Sequence, residues 1–290
     1  MSEQLSQMGS DLKELCDCIA KDVSESIQEM IGKPSGGVVI GMGADGTPTK
    51  SIDKVAEDTV LTQLKLSGKS FKVLSEEIGE VAIGENPENP NYFIRLDPLD
   101  GTFNAINGIP FYSLSIYLSK DNCHFGYVYD LASSKKYYAE AGKGAYAESG
   151  DNTPTNTPDI PVKLSVSKTS NLKDFSISAY TIRPNTAKIV GIGDKVRRIR
   201  TLGSISTEMA FVAAGRLDAF VDLRGMLRVV DIAAGKLILE EAGGVITDAA
   251  GRMMRLEDHL EGHMWQRSDL IGSNGLLHKE LLQLIGGGEH

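Results

Sequence analysis

Cysteine is scarce in this chain: there are three, Cys16, Cys18 and Cys123. Three thiols cannot pair completely, and Cys16 and Cys18 sit too close together to frame a disulfide scaffold. A C-x-C metal site would need a second Cys/His pair, and none accompanies it. Free thiols in a reducing cytoplasm are the expectation. Long apolar runs are also missing, so no membrane-spanning helix is expected. The opening residues M-S-E-Q-L-S-Q-M carry neither a basic nor an apolar signal region, and no targeting segment is expected there. Positive charge is in deficit, with 30 Lys and Arg against 39 Asp and Glu, a formal net charge of -9. A chain of that sign repels a phosphodiester backbone, and no aromatic-basic pattern offsets the repulsion. A nucleic-acid partner is therefore not expected. There is no internal repeat and no low-complexity tract.

What is present is ordinary for a large globular core: 290 residues, 41% hydrophobic and 24% charged. Leu12, Leu15, Ile19, Val23, Ile27, Met30 and Ile31 recur at three- and four-residue spacing, which predicts an amphipathic helix over residues 10–31. The Gly- and Pro-rich stretch from Pro34 to Thr49 predicts a short strand and a flexible loop, a mobile flap placed near any bound metals by its polar G-A-D-G-T-P-T run. A second helix fits residues 52–66. Strands are predicted at F-K-V-L, Y-F-I-R-L, F-Y-S-L-S-I-Y-L and H-F-G-Y-V-Y-D. The polar, Pro-rich run T-P-T-N-T-P-D-I-P (Thr153 to Pro161) divides the chain into halves 1–155 and 156–290. In the second half, strands F-S-I-S-A-Y, V-R-R-I-R-T-L and L-D-A-F-V-D-L alternate with two helices. The later helix, D-I-A-A-G-K-L-I-L-E-E-A-G-G, is read with Asp231 at its N-cap. The final G-G-G-E-H is expected to fray. Interleaved strands and helices predict a layered α/β or α+β architecture.

One stretch carries chemistry: L-D-P-L-D-G-T-F-N, Leu96 to Asn104. Pro98 biases Asp97 toward extended backbone, so the two acids Asp97 and Asp100 are read on a turn at a strand end. Two carboxylates and the Leu99 carbonyl can converge on a hard cation such as Mg²⁺, which takes oxygen ligands. Gly101 lets the backbone approach a ligand, and a helix opening at Gly101-Thr102 offers free N–H groups to a phosphate. Taken alone, the short pattern reads as a turn acid followed by a helix cap. Glu76-Glu77 alone reads as solvated surface, Asp231 as a cap, and Asp53 as an acid complementing a helix N-terminus.

Taken with V-V-D-I-A-A-G-K-L-I-L-E-E-A-G-G, the stretch resembles the paired signature of the inositol monophosphatase superfamily. That family usually has Trp before the second aspartate, where this chain has Val230. The E-E pair, the T-x-x-x-D segment before it and S-N-G-L-L-H-K-E-L-L near the end follow in the family's order, so the resemblance runs over nearly the whole chain. It implies a layered αβαβα sandwich and a phosphomonoester hydrolase acting on fructose 1,6-bisphosphate, inositol 1-phosphate or both. It implies two or three Mg²⁺ ions, replaceable by Mn²⁺. Glu76, Asp97 and the Leu99 carbonyl would hold the first ion; Asp97, Asp100 and Asp231 the second; a third would share Glu76. Thr102, paired with Asp53, would orient the attacking water, so that Asp53, Glu76 and Thr102 form the catalytic set. Asp100, Gly101, Thr102 and Phe103 would lie on the phosphate, and Gly203, Ser204 and Ile205 would line the cleft. Arg200 and Arg224 would hold the far side of a sugar bisphosphate, because a guanidinium fork matches phosphate oxygens. Asp222 would stand in for the acid of inositol-specific relatives, so dual specificity stays open. The resemblance also implies a homodimer, with tetramers among some relatives; the cytoplasmic expectation rests on the free thiols. Two rivals remain: a 3′-phosphoadenosine 5′-phosphate phosphatase with the same motifs, and a non-catalytic metal-binding regulatory protein on the same fold.

Overall fold

The computed structural model describes residues 2–86, 88–149, 160–180, 183, 186–254 and 268–286, with the side chains of 2–8 left aside. Helix α1 (Ser2–Ile27) is followed by a hairpin of β1 (Val39–Met42) and β2 (Pro48–Lys50), then α2 (Ser51–Leu66). Next come β3 (Phe71–Ser75), β4 (Gly79–Ile83), β5 (Tyr92–Asp100), the short α3 (Thr102–Ile106), β6 (Ser113–Lys120), β7 (Cys123–Asp130), β8 (Lys135–Glu140), β9 (Gly144–Ser149) and β10 (Val162–Lys163). The remaining elements are β11 (Ser176–Ala179), α4 (Thr186–Gly193), β12 (Arg198–Arg200), α5 (Ile205–Ala213), β13 (Ala219–Leu227), α6 (Val229–Glu241), β14 (Val245–Thr247), β15 (Ser268–Ser273) and α7 (His278–Gly286). An eight-stranded sheet has the order β10-β9-β8-β7-β6-β5-β3-β4, and a five-stranded sheet the order β12-β11-β13-β15-β14.

Strand alternation assigns the layers. On β13, Ala219 and Val221 face one way, toward Ile189 and Ile192 of α4 and Leu281 and Ile285 of α7. Phe220 faces the other way, into a core with α5 and α6. On the first sheet, Ile94, Leu96, Ile116 and Tyr127 meet α1 and α2 through Leu12, Ile19, Val60 and Leu64. The order is therefore helices, sheet, helices, sheet, helices: the layered αβαβα sandwich. Helix α6 is buried from Val229 to Leu239, as a helix clamped between two sheets must be. It sits so close to β7 that a Cβ on Gly126 would lie 2.9 Å from the Ala234 carbonyl oxygen. Val230 is 1% exposed inside this central core, so an aliphatic side chain fills the position of the family's Trp.

Several boundaries differ from the pattern-based expectation. Helix α1 ends at Ile27. The flap segment holds the expected strand as β1 and a second strand, β2, which closes it into a hairpin. The acids of the opening motif lie within β5, not beyond it: Asp97 pairs with Ser115 and Asp100 with Ser113, so β5 carries a bulge holding Pro98 and Leu99. A proline fits inside a strand at such a bulge, where its missing N–H breaks no ladder bond. Residues 153–159 of the dividing run and 287–290 of the terminal run lie outside the described residues. Among the described residues, no helix is long and apolar enough to cross a membrane.

Candidate active site

The bulge in β5 delivers the first acids. Asp97 Oδ1 accepts from the Leu99 N–H at 3.0 Å, which fixes the turn and aims the carboxylate off the sheet edge. Glu76 follows the end of β3, which runs parallel to β5. Asp231 comes from the other half, on α6. It occupies the third helical position rather than the N-cap, and its Oδ2 accepts from the Arg228 N–H at 2.7 Å. That N–H precedes the first helical residue and has no intrahelical acceptor, so the carboxylate turns back to meet it. Ligand oxygens of Glu76, Asp97 and Asp231 lie within 4.8 Å of one another. They border a cavity of about 300 Å³ that is also lined by Asp45, Leu99, Asp100, Gly101, Thr102, Tyr180, Gly203, Ile205 and Arg224.

Burial and mutual repulsion raise Glu76 and Asp97. Glu76 is pushed up to about 8, first by desolvation and then by the charges of Asp231 and Glu77. Asp97 is raised well above the usual carboxylate range by burial, with Glu76, Asp100 and Asp231 adding to it. Carboxylates gathered at such cost suit a divalent cation, which relieves the repulsion and accepts an all-oxygen donor set. Glu76, Asp97, Asp231 and the Leu99 carbonyl fit a hard ion of the Mg²⁺ class.

Asp100 lines the same cavity but is committed elsewhere as well. Its Oδ1 accepts from the Ile205 N–H at 3.1 Å, and its Oδ2 from the Ser206 N–H at 2.7 Å and the Ser204 hydroxyl at 2.9 Å. It therefore caps the start of α5 and joins the two sheets. Asn104 adds to this seam, donating to the Phe111 and Leu202 carbonyls at 2.7 Å each. Gly101 sits where the seam is tightest, with φ +96° and a Cβ position 3.0 Å from the Gly203 carbonyl oxygen, so only glycine fits. Glu208, fully buried, holds the same segment by accepting from the Leu202 N–H at 2.9 Å and from the Ser178 hydroxyl.

Thr102 opens α3 and meets Asp53 of α2. Its hydroxyl donates to Asp53 Oδ1 at 2.8 Å, with the Leu99 carbonyl 3.1 Å away as the alternative acceptor. Asp53 Oδ2 accepts from the Lys50 N–H at 3.2 Å, so this acid also serves its helix terminus. Desolvation pushes Asp53 up to about 6 against these hydrogen bonds.

The distal wall departs from expectation. Arg224 lines the cavity, but Asp222, fully buried, grips its Nε at 3.0 Å and its Nη2 at 2.5 Å. Asp222 thus neutralises Arg224 instead of facing a sugar hydroxyl. The guanidinium also stacks 3.8 Å from the Tyr180 ring centroid. Arg200 is not brought to the cavity within this chain: it lies exposed at the end of edge strand β12, and its Nη1 donates to the neighbouring Ile199 carbonyl at 2.9 Å. Phe103 is 72% exposed and outside the lining. Ser204 is buried beneath the lining, bonded to Asp100.

Six lining residues were not singled out from the sequence: Asp45, Thr47, Tyr180, Met226, Leu227 and Arg228. Asp45 and Thr47 reach the cavity on the β1–β2 loop, which docks on the glutamate pair through Ala44 N–H to Glu77 O at 3.0 Å and Asp45 N–H to Glu76 O at 3.3 Å. A Thr49 hydroxyl bond to Glu77 adds a side-chain tie. Tyr180 follows β11. Arg228 stands among Asp45, Glu76 and Asp231. Its only sequence signal was the three-residue spacing from Asp231.

A clustered carboxylate set beside a part-buried Asp–Thr pair, on a layered αβαβα sandwich, has the make-up of a metal-dependent phosphatase. The family profile described as "Inositol monophosphatase family" matches residues 12–287. A fructose-1,6-bisphosphatase/inositol-1-monophosphatase of Methanothermobacter thermautotrophicus is 36% identical, over 92% of this chain and 94% of its own. A bifunctional NADP phosphatase/NAD kinase of Methanococcus maripaludis is 38% identical over 95% of this chain, which spans about half (49%) of that longer protein. A solved inositol monophosphatase–fructose 1,6-bisphosphatase superposes with a TM-score of 0.77 at 32% identity, covering 94% of this chain and 97% of that one. The chain belongs to the inositol monophosphatase family.

Proposed function

We propose that this phosphatase releases phosphate from fructose 1,6-bisphosphate, inositol 1-phosphate or both, with Mg²⁺ as its cation. The observation that carries the reading is the convergence of Glu76, Asp97 and Asp231, with ligand oxygens within 4.8 Å, in the cavity that Thr102 also lines. Bound divalent cations supply the charge that makes water acidic and screens phosphoryl oxygens. The chain's own residues do the rest. The Thr102 hydroxyl donates its hydrogen bond to Asp53, which leaves its oxygen lone pairs free to accept from a water in the cavity. As that water passes a proton to the Thr102 oxygen, the Thr102 proton passes on to Asp53, which burial has pushed up to about 6. The backbone at Gly101 and Thr102 receives the phosphate, and Asp100 keeps that turn aligned with α5. The distal wall of Tyr180, Gly203, Ile205 and Arg224 orients the leaving alcohol. Arg224 retains one guanidinium arm beyond the two that Asp222 engages, and that arm is assigned to the far side of the substrate.

The same reading keeps the halves 1–155 and 156–290 as units that meet at the cavity. It also keeps a homodimer in a reducing cytoplasm, with Mn²⁺ as a substitute ion. The test is phosphate release from fructose 1,6-bisphosphate, inositol 1-phosphate and NADP side by side, with Mg²⁺ and with EDTA. Mg²⁺-dependent release from either of the first two supports the proposal. Release from NADP alone moves the activity to the class named for the Methanococcus relative. Release from none of the three removes the catalytic reading.

A further inference from the structure

Arg228 is held against three carboxylates at once. Its Nη2 donates to Glu76 Oε2 at 2.5 Å and to Asp231 Oδ1 at 2.7 Å, its Nε donates to Asp231 Oδ2 at 3.2 Å, and its Nη1 pairs with Asp45. Glu76 and Asp231 are two of the three acids whose oxygens converge for an ion. A guanidinium this close to those oxygens takes both the space and the charge that a divalent cation needs. The two cations cannot share the oxygens, since each would face the other's positive charge at contact distance. Arginine cannot relieve the conflict by losing a proton; it can only move. Its long stem permits that, and 14% of its side chain remains exposed. Asp45 is outside the set assigned to the ions and rides on the β1–β2 loop, so it can keep the guanidinium after Glu76 and Asp231 let go.

We propose that Arg228 is a built-in competitor for the ion cluster: the guanidinium and a divalent cation exchange places at Glu76 and Asp231, and the displaced guanidinium stays paired with Asp45. The inference rests on reading these acids as the phosphatase's metal centre. It makes Arg228 a positioning residue that holds the acids in register against their mutual repulsion and sets how tightly the ion binds. Ion entry becomes coupled to the β1–β2 loop through the Arg228–Asp45 pair.

Calorimetric titration of the full chain with Mg²⁺ alone tests this, using wild type, Arg228→Gln, Arg228→Lys and Asp231→Asn. Exchange requires Arg228→Gln to bind Mg²⁺ at least tenfold more tightly than wild type. Arg228→Lys, which keeps the charge but loses the fork, should also bind several-fold more tightly. In wild type, the arginine Nε–Hε nuclear magnetic resonance signal that disappears in Arg228→Lys should shift along the same Mg²⁺ titration. This readout stands even where Arg228→Gln does not fold. Unchanged or weaker Mg²⁺ binding in Arg228→Gln, or a wild-type signal indifferent to Mg²⁺, overturns the exchange. Arg228→Lys equal to wild type also overturns it, because the charge alone would then explain the Gln variant. Wild-type affinity in Asp231→Asn overturns the metal-centre reading itself, whereas loss of binding there together with unchanged Arg228→Gln overturns the exchange alone.

Discussion

Asp53→Asn separates stability from catalysis in opposite directions. Asp53 is 3% exposed, and burial lifts it from the ordinary aspartate value of 3.8 to about 6. At about 1.4 kcal/mol per pH unit, that gap amounts to about 3 kcal/mol. The sign follows from linkage. The folded protein holds this proton more tightly than the unfolded chain, so the stabilising contribution of the neutral form is complete below about pH 4. It is lost as pH rises through about 6. Asparagine is neutral throughout and keeps the shape. Its oxygen can accept from the Lys50 N–H, and its amide can donate to Thr102, whose proton then moves to the Leu99 carbonyl 3.1 Å away. The variant should therefore gain up to about 3 kcal/mol over wild type at pH 8 and nothing at pH 4. With an unfolding entropy of about 2.1 cal/mol/K per residue, the gain corresponds to about 5 °C in Tm. Catalysis should fall about 10²- to 10⁴-fold, because Thr102 now spends a lone pair on the introduced amide and has no base behind it. Thermal unfolding in EDTA at both pH values, with phosphate release at pH 8, measures the two effects. An equal loss of stability at both pH values, or activity within tenfold of wild type, refutes the reasoning.

Further outcomes follow from the same geometry. Arg224→Ala should raise KM for a bisphosphate more than for a monophosphate, and it should leave Asp222 buried without its partner, so a fall in Tm should accompany the kinetic change; equal KM effects on both substrates remove the far-side role. Gly101→Ala forces a side chain into φ +96° against the Gly203 carbonyl. It should cost about 1–3 kcal/mol by denaturant unfolding and depress kcat, and an unperturbed variant would show that the seam yields. Thr49→Val cuts the side-chain tie between β2 and Glu77. Limited proteolysis should then cleave faster between Gly41 and Gly46, and unchanged cleavage would mean that the main-chain bonds alone hold the loop.

Much of this site is contiguous in sequence and could be read there. Asp97 to Thr102 needs only one bulged strand and one helix start to come together, and Asp53 and Asp231 both sit in the first turn of periodic helices. A layered architecture was legible from the interleaving of strands and helices, whereas the αβαβα order came with the family resemblance: α6 is buried from Val229 to Leu239 and shows no one-sided apolar stripe. Tyr180 and Arg228 were not legible, and Asp45 was legible only as part of the flap placed near the metals. The loop around Asp45 reaches the cavity only because its backbone docks on Glu76 and Glu77, and Tyr180 depends on where the parallel strands β11 and β13 end. Arg228 is one of several arginines in the second half, and two of its partners lie 183 and 152 residues away in the chain. Arg200 shows the converse. Its place in the sequence suggested a substrate ligand, whereas the edge position of β12 turns it to solvent.

The most direct test of the central claim is the initial rate of phosphate release from fructose 1,6-bisphosphate and inositol 1-phosphate by wild type and Asp231→Ala at saturating Mg²⁺, with circular dichroism recorded on both proteins. The account predicts Mg²⁺-dependent release by wild type, loss of turnover in the variant and superimposable spectra. A folded Asp231→Ala protein that keeps wild-type turnover would contradict it.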